Sequence, residues 1–376
     1  MVKLKDICTI NPKATILVDD LEVSFVPMPK VGEQGEFDPS EIRTYQEVKK
    51  GFTNFQNGDV LFAKITPCME NGKGAIAKSL RNGYGFGSTE FHVLRPDNSK
   101  VTSEWLYYLT SWSEFRKDAE NNMTGSAGQK RVPKTFLENY DVNLPELQRQ
   151  KEIATILDHI GEMIALRKEQ LAKLDQLVKS RFIELFGDVK EEDKLINLCN
   201  FIDYRGKTPE KTESGLPFIT AKNVKMHHMS FDTQEFISKE TYDKVMTRGF
   251  PRIGDVVFTT EAPLGNVCRI PYIETEFYIG QRIITMQTEQ LEPAYLEYAL
   301  SSEAFKRKIA EKSSGSTVTG IRSKLLEQLT IPVPPKAVQK QFTTFVEQTD
   351  KSKLAIQQSL DKLETLKKSL MQKYFG

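Results

Sequence analysis

The chain has 376 residues, 39% hydrophobic and 27% charged, a size and polarity suited to two or three ordinary cores. No apolar run approaches the ~20 residues of a membrane helix, and the start, MVKLKDICTI, lacks the apolar stretch of a signal peptide. The formal net charge is only +1, which excludes a generic basic nucleic-acid coat but leaves room for a local basic patch.

In chain order, residues 1–144 mix short strand-like runs (SFVPM, DVLFAKI, TEFHVL) with Gly/Pro turns and one clear helix near 103–120. That pattern predicts an α+β domain, and GD before an apolar run reads as a tight turn feeding a buried strand. From Pro145 to Gly187 the pattern changes. Ile153, Leu157, Ile160, Ile164, Leu171, Leu174, Val178 and Leu185 recur at three- and four-residue steps, with Pro at the entry and Gly at the exit. About 40 residues at 1.5 Å each make a rod of roughly 60 Å. Residues 188–334 return to short strands (LPFITA, DVVFTT, RIITMQ) and a helix near 293–312. A second rod, 335–376, carries Phe342, Val346, Ile356, Leu360, Leu363, Leu370 and Tyr374 on its stripe. Arg167, Arg181, Lys353 and Lys367 interrupt the stripes and are expected at the margin of the seam.

The second half repeats the first in the same order, with a period of about 190 residues, which marks duplication of a whole unit. Lys3-Leu4 and Ile7-Cys8 are echoed by Lys194-Leu195 and Leu198-Cys199, and GDVLF at 58–62 by GDVVF at 254–258. Pro67 and Pro263 follow. EWLYYLTSWSEF at 104–115 aligns with AYLEYALSSEAF at 294–305 without a gap. Gly125-Ser126 is matched to Gly315-Ser316, Lys134 to Lys324 and Pro145 to Pro335, and both rods end on FG, at 186–187 and 375–376. A lone amphipathic rod cannot bury its stripe, whereas two copies can bury each other. The expected fold is therefore α+β: two globular domains, 1–144 and 188–334, and two long helices, 145–187 and 335–376, paired antiparallel as a coiled-coil spacer. Such a molecule is a ruler with a reader at each end.

Most catalytic motifs are missing. RGKT at 205–208 resembles a P-loop tail, but Phe201 stands where the first Gly is required. GYGFG at 83–87 does not match GxGxxG and reads as a turn. PDNSK at 96–100 lacks the acid of a nuclease metal site, and His92, His159, His227 and His228 have no ligand spacing. There is no GxSxG or HExxH. Cys8, Cys68, Cys199 and Cys268 lie far apart, which predicts buried thiols in a reducing cytoplasm, with neither a zinc site nor a disulfide framework.

ITPCMENGKGAIA at 65–77 with GSTEFHVLRP at 87–96, DYRGKTPEKTESGLPFITAKNV at 203–224 with IGQRIITM at 279–286, SGSTVTGIRSKLLEQLTIPVPP at 314–335 and NLPELQRQKEIATILD at 143–158 carry a resemblance. Together, over essentially the whole length, the chain resembles the specificity subunit of a Type I restriction–modification enzyme. The resemblance implies a noncatalytic DNA reader. Each globular domain is a target-recognition domain for one half of a bipartite double-stranded DNA site, and the helices set the unread gap. It implies two modification subunits, adenine methyltransferases, docked on helices and domains, and restriction subunits added to them. S-adenosylmethionine, ATP and Mg would sit on those partners, with no cofactor on this chain and no membrane. The divergence of the two domains implies an asymmetric target. The alternatives are the reader of a two-subunit restriction–methylation enzyme and a coiled-coil adaptor that binds no DNA.

Base edges are matched by Arg or Lys for guanine and Asn or Gln for adenine, and phosphates by Lys, Arg, Ser, Thr or backbone amides. On that ground the candidates in the first domain are Lys64, Asn71, Lys73, Ser88, Thr89, Gln129, Lys130, Arg131 and Lys134. In the second they are Arg205, Lys207, Thr208, Lys222, Asn223, Gln281, Arg282, Thr317, Thr319, Arg322 and Lys324. The bland reading competes at each: a loop lysine is more often simply solvated. Asn71 with Gly72 and Gly74 reads equally as a turn. Tyr107, Tyr108, Tyr295 and Tyr298, at helical spacing, read as core.

Overall fold

A computed structural model describes residues 1–126, 128–206, 209–313 and 320–376. The chain divides into two compact units: Met1–Lys168 with Gln358–Gly376, and Glu169–Gln357. Each long helix, Leu147–Phe186 and Lys336–Phe375, runs unbroken for 40 residues and contributes a part to both units.

Unit 1 holds two four-stranded sheets. One has the order Cys8–Ile10, Phe91–Pro96, Val60–Ala63, Gly74–Ile76, all antiparallel. The other runs Ile42–Thr44, Glu22–Val26, Tyr84–Gly87, Thr53–Gln56, with one parallel pair between Glu22–Val26 and Tyr84–Gly87. Unit 2 repeats the first sheet as Asn200–Asp203, Ile283–Gln287, Val256–Thr259, Val267–Arg269. Its second sheet is three-stranded, Phe236–Ile237, Leu216–Ile219, Tyr278–Ile279, again with one parallel pair. The fold is the expected α+β repeat.

The GD pairs work as the sequence suggests. Gly58 and Gly254 sit at φ +89° and +87°, where a side chain is strained. Asp59 and Asp255 then close the turn by accepting from the backbone N–H of Gln56 and Arg252. The strand that follows is fully buried in both units, Val60–Ala63 and Val256–Thr259.

Each unit also contains an antiparallel helix pair. In unit 1, Arg149 lies over the Tyr374 ring while Lys168 reaches Glu364 at 3.0 Å, so numbers rise on one helix as they fall on the other. In unit 2, Phe186 meets Phe342 and Asp175 meets Lys353 in the same sense. The stripe residues are all buried or half-buried. Arg167, Arg181, Lys353 and Lys367, which interrupt the stripes, are half-buried. Long aliphatic stems let them cover apolar surface. Burial pushes the Lys367 amine down, helped by nearby Lys168.

The FG endings are alike in three dimensions. Phe375 packs on Trp105 at 5.3 Å, and Phe186 packs on Tyr295 at 4.8 Å, Trp105 and Tyr295 being matched positions of the duplicated helix. The repeat register needs one correction. Gln150 accepts from Thr102 N–H and donates to Pro145 O; Gln339 accepts from Glu292 N–H and donates to Pro334 O. Pro145 therefore matches Pro334, not Pro335, and the second copy is one residue shorter beyond the gapless helix. By the same backbone bonding, Lys134 matches Ser323 rather than Lys324: Val132 N–H donates to Lys64 O as Ile321 N–H donates to Thr260 O. A Pro-Pro pair hides such a slip.

Gln150 and Gln339 are themselves buried, at 0% and 1% exposure, and fasten the first turn of each long helix to its globular domain. Gln150→Leu keeps the shape but leaves Thr102 N–H and two carbonyls without partners. The expected loss is about 1–3 kcal/mol, read as a lower urea midpoint at unchanged slope.

Candidate DNA-recognition surfaces

In unit 1 three segments are knitted together at one end of the first sheet. Lys64 N–H donates to Glu90 O and Lys64 O accepts from Val132 N–H; Thr66 N–H donates to Lys130 O; Thr124 and Arg131 exchange backbone bonds. This brings Lys64, Ser88, Thr89, Gln129, Lys130, Arg131 and Lys134 onto one edge. Thr89, Gln129, Lys130 and Lys134 are exposed, the last beside Glu138 at 3.0 Å. Arg131 is held in a fork by Glu90, Nε at 2.9 Å and Nη2 at 2.8 Å, and its Nη1 donates to Gln129 O. The Arg131 guanidinium holds the Glu90 carboxyl below the usual range. Ser88 Oγ accepts from Glu90 N–H. Asn71 is exposed on the turn after the strand. Lys73 points elsewhere: its amine donates to Met28 O and Val31 O, tying down a neighbouring loop.

Unit 2 builds the same corner. Thr260 N–H donates to Arg282 O, and Ile321 N–H to Thr260 O. Thr260 thus stands where Lys64 stands, Arg282 where Glu90 stands, and Ile321 where Val132 stands. Arg282 is half-exposed and ion-paired through Nε with Glu261 at 2.9 Å. At one matched position the charge is inverted, Glu90 in unit 1 and Arg282 in unit 2; their partners Arg131 and Glu261 come from unmatched positions, opposite Gly320 and Ile65 of the other unit. Both corners include a cis peptide, Thr66-Pro67 and Ala262-Pro263.

The other unit 2 candidates are scattered. Lys222, Arg322 and Lys324 are exposed, and Gln281 is half-buried with an interaction partner. Arg205 is folded back on Asp203, with Nε at 2.9 Å and Nη2 at 2.7 Å. Asn223 is a correction. It is 3% exposed; its Oδ1 accepts from Thr220 and its Nδ2 donates to Ser230 O and Thr233 O, so no capacity is left for a base. Lys207, Thr208, Thr317 and Thr319 lie outside the described residues.

Sequence reasoning missed the acids. Glu90 and Glu261 orient the two arginines, and nothing in the local pattern announces it, because each acid lies far along the chain from its arginine. It also missed Arg248, whose Nη1 donates to Asp203 O and Arg205 O. His92, 4% exposed, bonds Val132 O through Nε2 and Asn11 through Nδ1. Burial pushes its pKa down, so it stays neutral and structural. Among the described residues no group of three or more His, Cys, Asp or Glu could hold a metal ion, and no helix is long and apolar enough to cross a membrane.

The model for the Type I restriction modification DNA specificity domain matches residues 1–176 and again 190–367. The chain belongs to that family.

The specificity subunit of the type I restriction enzyme EcoAI of Escherichia coli is 43% identical over 184 residues, 47% of this chain and 31% of that protein. That of EcoEI, also from Escherichia coli, is 38% identical over 209 residues, 54% and 35%. The aligned part thus spans about a third of those relatives. The putative MjaX specificity subunit of Methanocaldococcus jannaschii aligns over 94% of this chain and 84% of its own length at 22% identity. Among solved structures, a chain described under complex assembly and conformational transition of the type I R-M system superposes with a TM-score of 0.61. It has 19% identity and covers 99% of this chain and 96% of its own. The type I S subunit from M. genitalium gives 0.60 at 15% identity, with 100% and 95% covered. These two likenesses concern the fold.

Proposed function

We propose that this chain is a noncatalytic DNA-reading subunit of a cytoplasmic Type I restriction–modification complex. Each unit reads one half of an asymmetric bipartite double-stranded target, and the long helices fix the gap. The carrying observation is the duplicated corner with charge inverted at one matched position: the same backbone scaffold presents Glu90 with Arg131 in one unit and Arg282 with Glu261 in the other. Equal scaffolds with unequal side chains suit a target whose halves differ.

Arg282 is the stronger base reader. Its ion pair with Glu261 runs through Nε and its side chain is 53% exposed, which suits the two terminal nitrogens to the O6 and N7 acceptors of guanine. Arg131 is already engaged by Glu90 and Gln129, which shifts direct contact in unit 1 toward Gln129, Lys130 and Asn71. Modification subunits dock on the outer helix faces, where Leu166, Leu177, Leu354 and Leu366 are exposed. They carry S-adenosylmethionine and methylate adenine; restriction subunits add ATP- and Mg-dependent cleavage.

The test is a gel shift with purified modification subunit and S-adenosylmethionine. One bipartite sequence should be preferred, and equal affinity for all duplexes would refute the proposal. Arg282→Ala should relax a single half-site, by about 1–3 kcal/mol.

A further inference from the structure

Arg116, on the helix Ser113–Asn121, is 7% exposed. Its Nη1 donates to Met69 O at 2.6 Å, and its guanidinium faces the Phe62 ring at 5.1 Å. Among the described residues it has no carboxylate partner, and its Nε has no hydrogen bond. Burial pushes its pKa down to about 10. A buried cation without an acid is a costly way to fill space.

The surroundings are built for it. A Cβ on Gly74 would stand 3.3 Å from Arg116 Nη2 and 2.9 Å from Leu61 O, so glycine keeps the slot open. Unit 2 solves the same place differently. Val267, which pairs with Phe258 as Gly74 pairs with Phe62, fills the slot with an apolar side chain. Lys306, matched to Arg116, sits at the surface with Glu303. The loop also differs: from Phe62 to Gly74 it is three residues longer than from Phe258 to Val267. The longer loop coils on itself through Met69 N–H to Ile65 O, Asn71 N–H to Pro67 O and Lys73 N–H to Cys68 O, and Arg116 is the anchor reaching it from the helix behind.

We propose that Arg116 is a positioning residue for DNA recognition by unit 1: it pins the turn Ile65–Lys73 through Met69 O, and so fixes where Lys64 and Asn71 meet the duplex. This rests on the DNA reading above. A side chain that holds a loop from behind sets specificity without touching a base, because a loose loop accommodates several base steps.

The experiment uses the full chain assembled with its modification subunit, selecting from a pool of randomised duplex DNA. Arg282→Ala identifies the half-site of unit 2, and the other half belongs to unit 1. Arg116→Met should reduce discrimination in the unit 1 half about tenfold, leave the unit 2 half intact and speed hydrogen exchange across 65–73. Arg116→Lys should restore part of the discrimination, and Lys306→Met should change neither half. A selective wild type whose Arg116→Met variant keeps both preferences overturns the proposal alone. So does an equal loss in both halves with a lowered melting temperature, which makes Arg116 merely structural. A wild-type complex that selects no sequence overturns the DNA reading and this inference together.

Discussion

Arg95→Ala should destabilise the protein by about 3 kcal/mol, the low end of the cost of leaving a buried charge unpaired, because the Arg95 side chain is itself 29% exposed. Asp59 is 1% exposed, and Arg95 holds both its oxygens, Nε at 2.8 Å and Nη2 at 2.7 Å. Without the guanidinium, Asp59 keeps only the Gln56 N–H to offset its desolvation. Arg95→Gln should cost less, because the duplicated unit already uses that solution. Gln287 occupies the matching place and donates to Asp255 at 2.6 Å. There burial pushes the Asp255 carboxyl up from 3.8, with Gln287 and Arg252 opposing. The sign follows from linkage: a raised carboxyl favours the fold below about pH 3.8 and loses that contribution as pH rises through its folded value. Gln287→Arg should therefore stabilise unit 2 at neutral pH and reduce this dependence. Urea melts of the three variants between pH 3 and 8 check the whole set; an Arg95→Ala midpoint equal to wild type would refute the pairing argument.

Phe342→Ala should cost a similar amount, about 3–5 kcal/mol. Phe342 is fully buried where the second long helix enters unit 2, with ring centres 5.5 Å from Phe182, 5.5 Å from Phe186 and 5.3 Å from Tyr298. Four rings drawn from three helices leave no backbone free to collapse into the space, so the cavity persists and the full penalty applies. Leu354→Ala, on the same helix but 60% exposed, should fall within about 0.5 kcal/mol of wild type. Denaturant melts of the pair separate loss of packing from loss of helix propensity. If the two cost alike, the aromatic cluster is not what fastens the helix.

The duplication, the GD turns and the helical stripes were readable because each is a local pattern with a period. Phe186 and Phe375 repeat as letters and repeat as contacts. What escaped depends on which residues distant in sequence come together. Asn223 resembles a base reader until Ser230 and Thr233 are seen to consume it. Glu90 shows no role until the chain brings Arg131 alongside, 41 positions later. The one-residue slip at Pro145 could be settled only by the bonds of Gln150 and Gln339.

The sharing of each long helix between the units bears on the order in which the protein can form as it is synthesised. Unit 2 is a continuous run, Glu169–Gln357, and every residue of its core has been made once that run has emerged. Unit 1 is interrupted: Met1–Lys168 leaves the ribosome first, but Leu370, Met371 and Phe375, which pack on its core, follow some 200 residues later. The first globule made is thus the last to be completed, and its helix-binding surface waits uncovered while unit 2 closes.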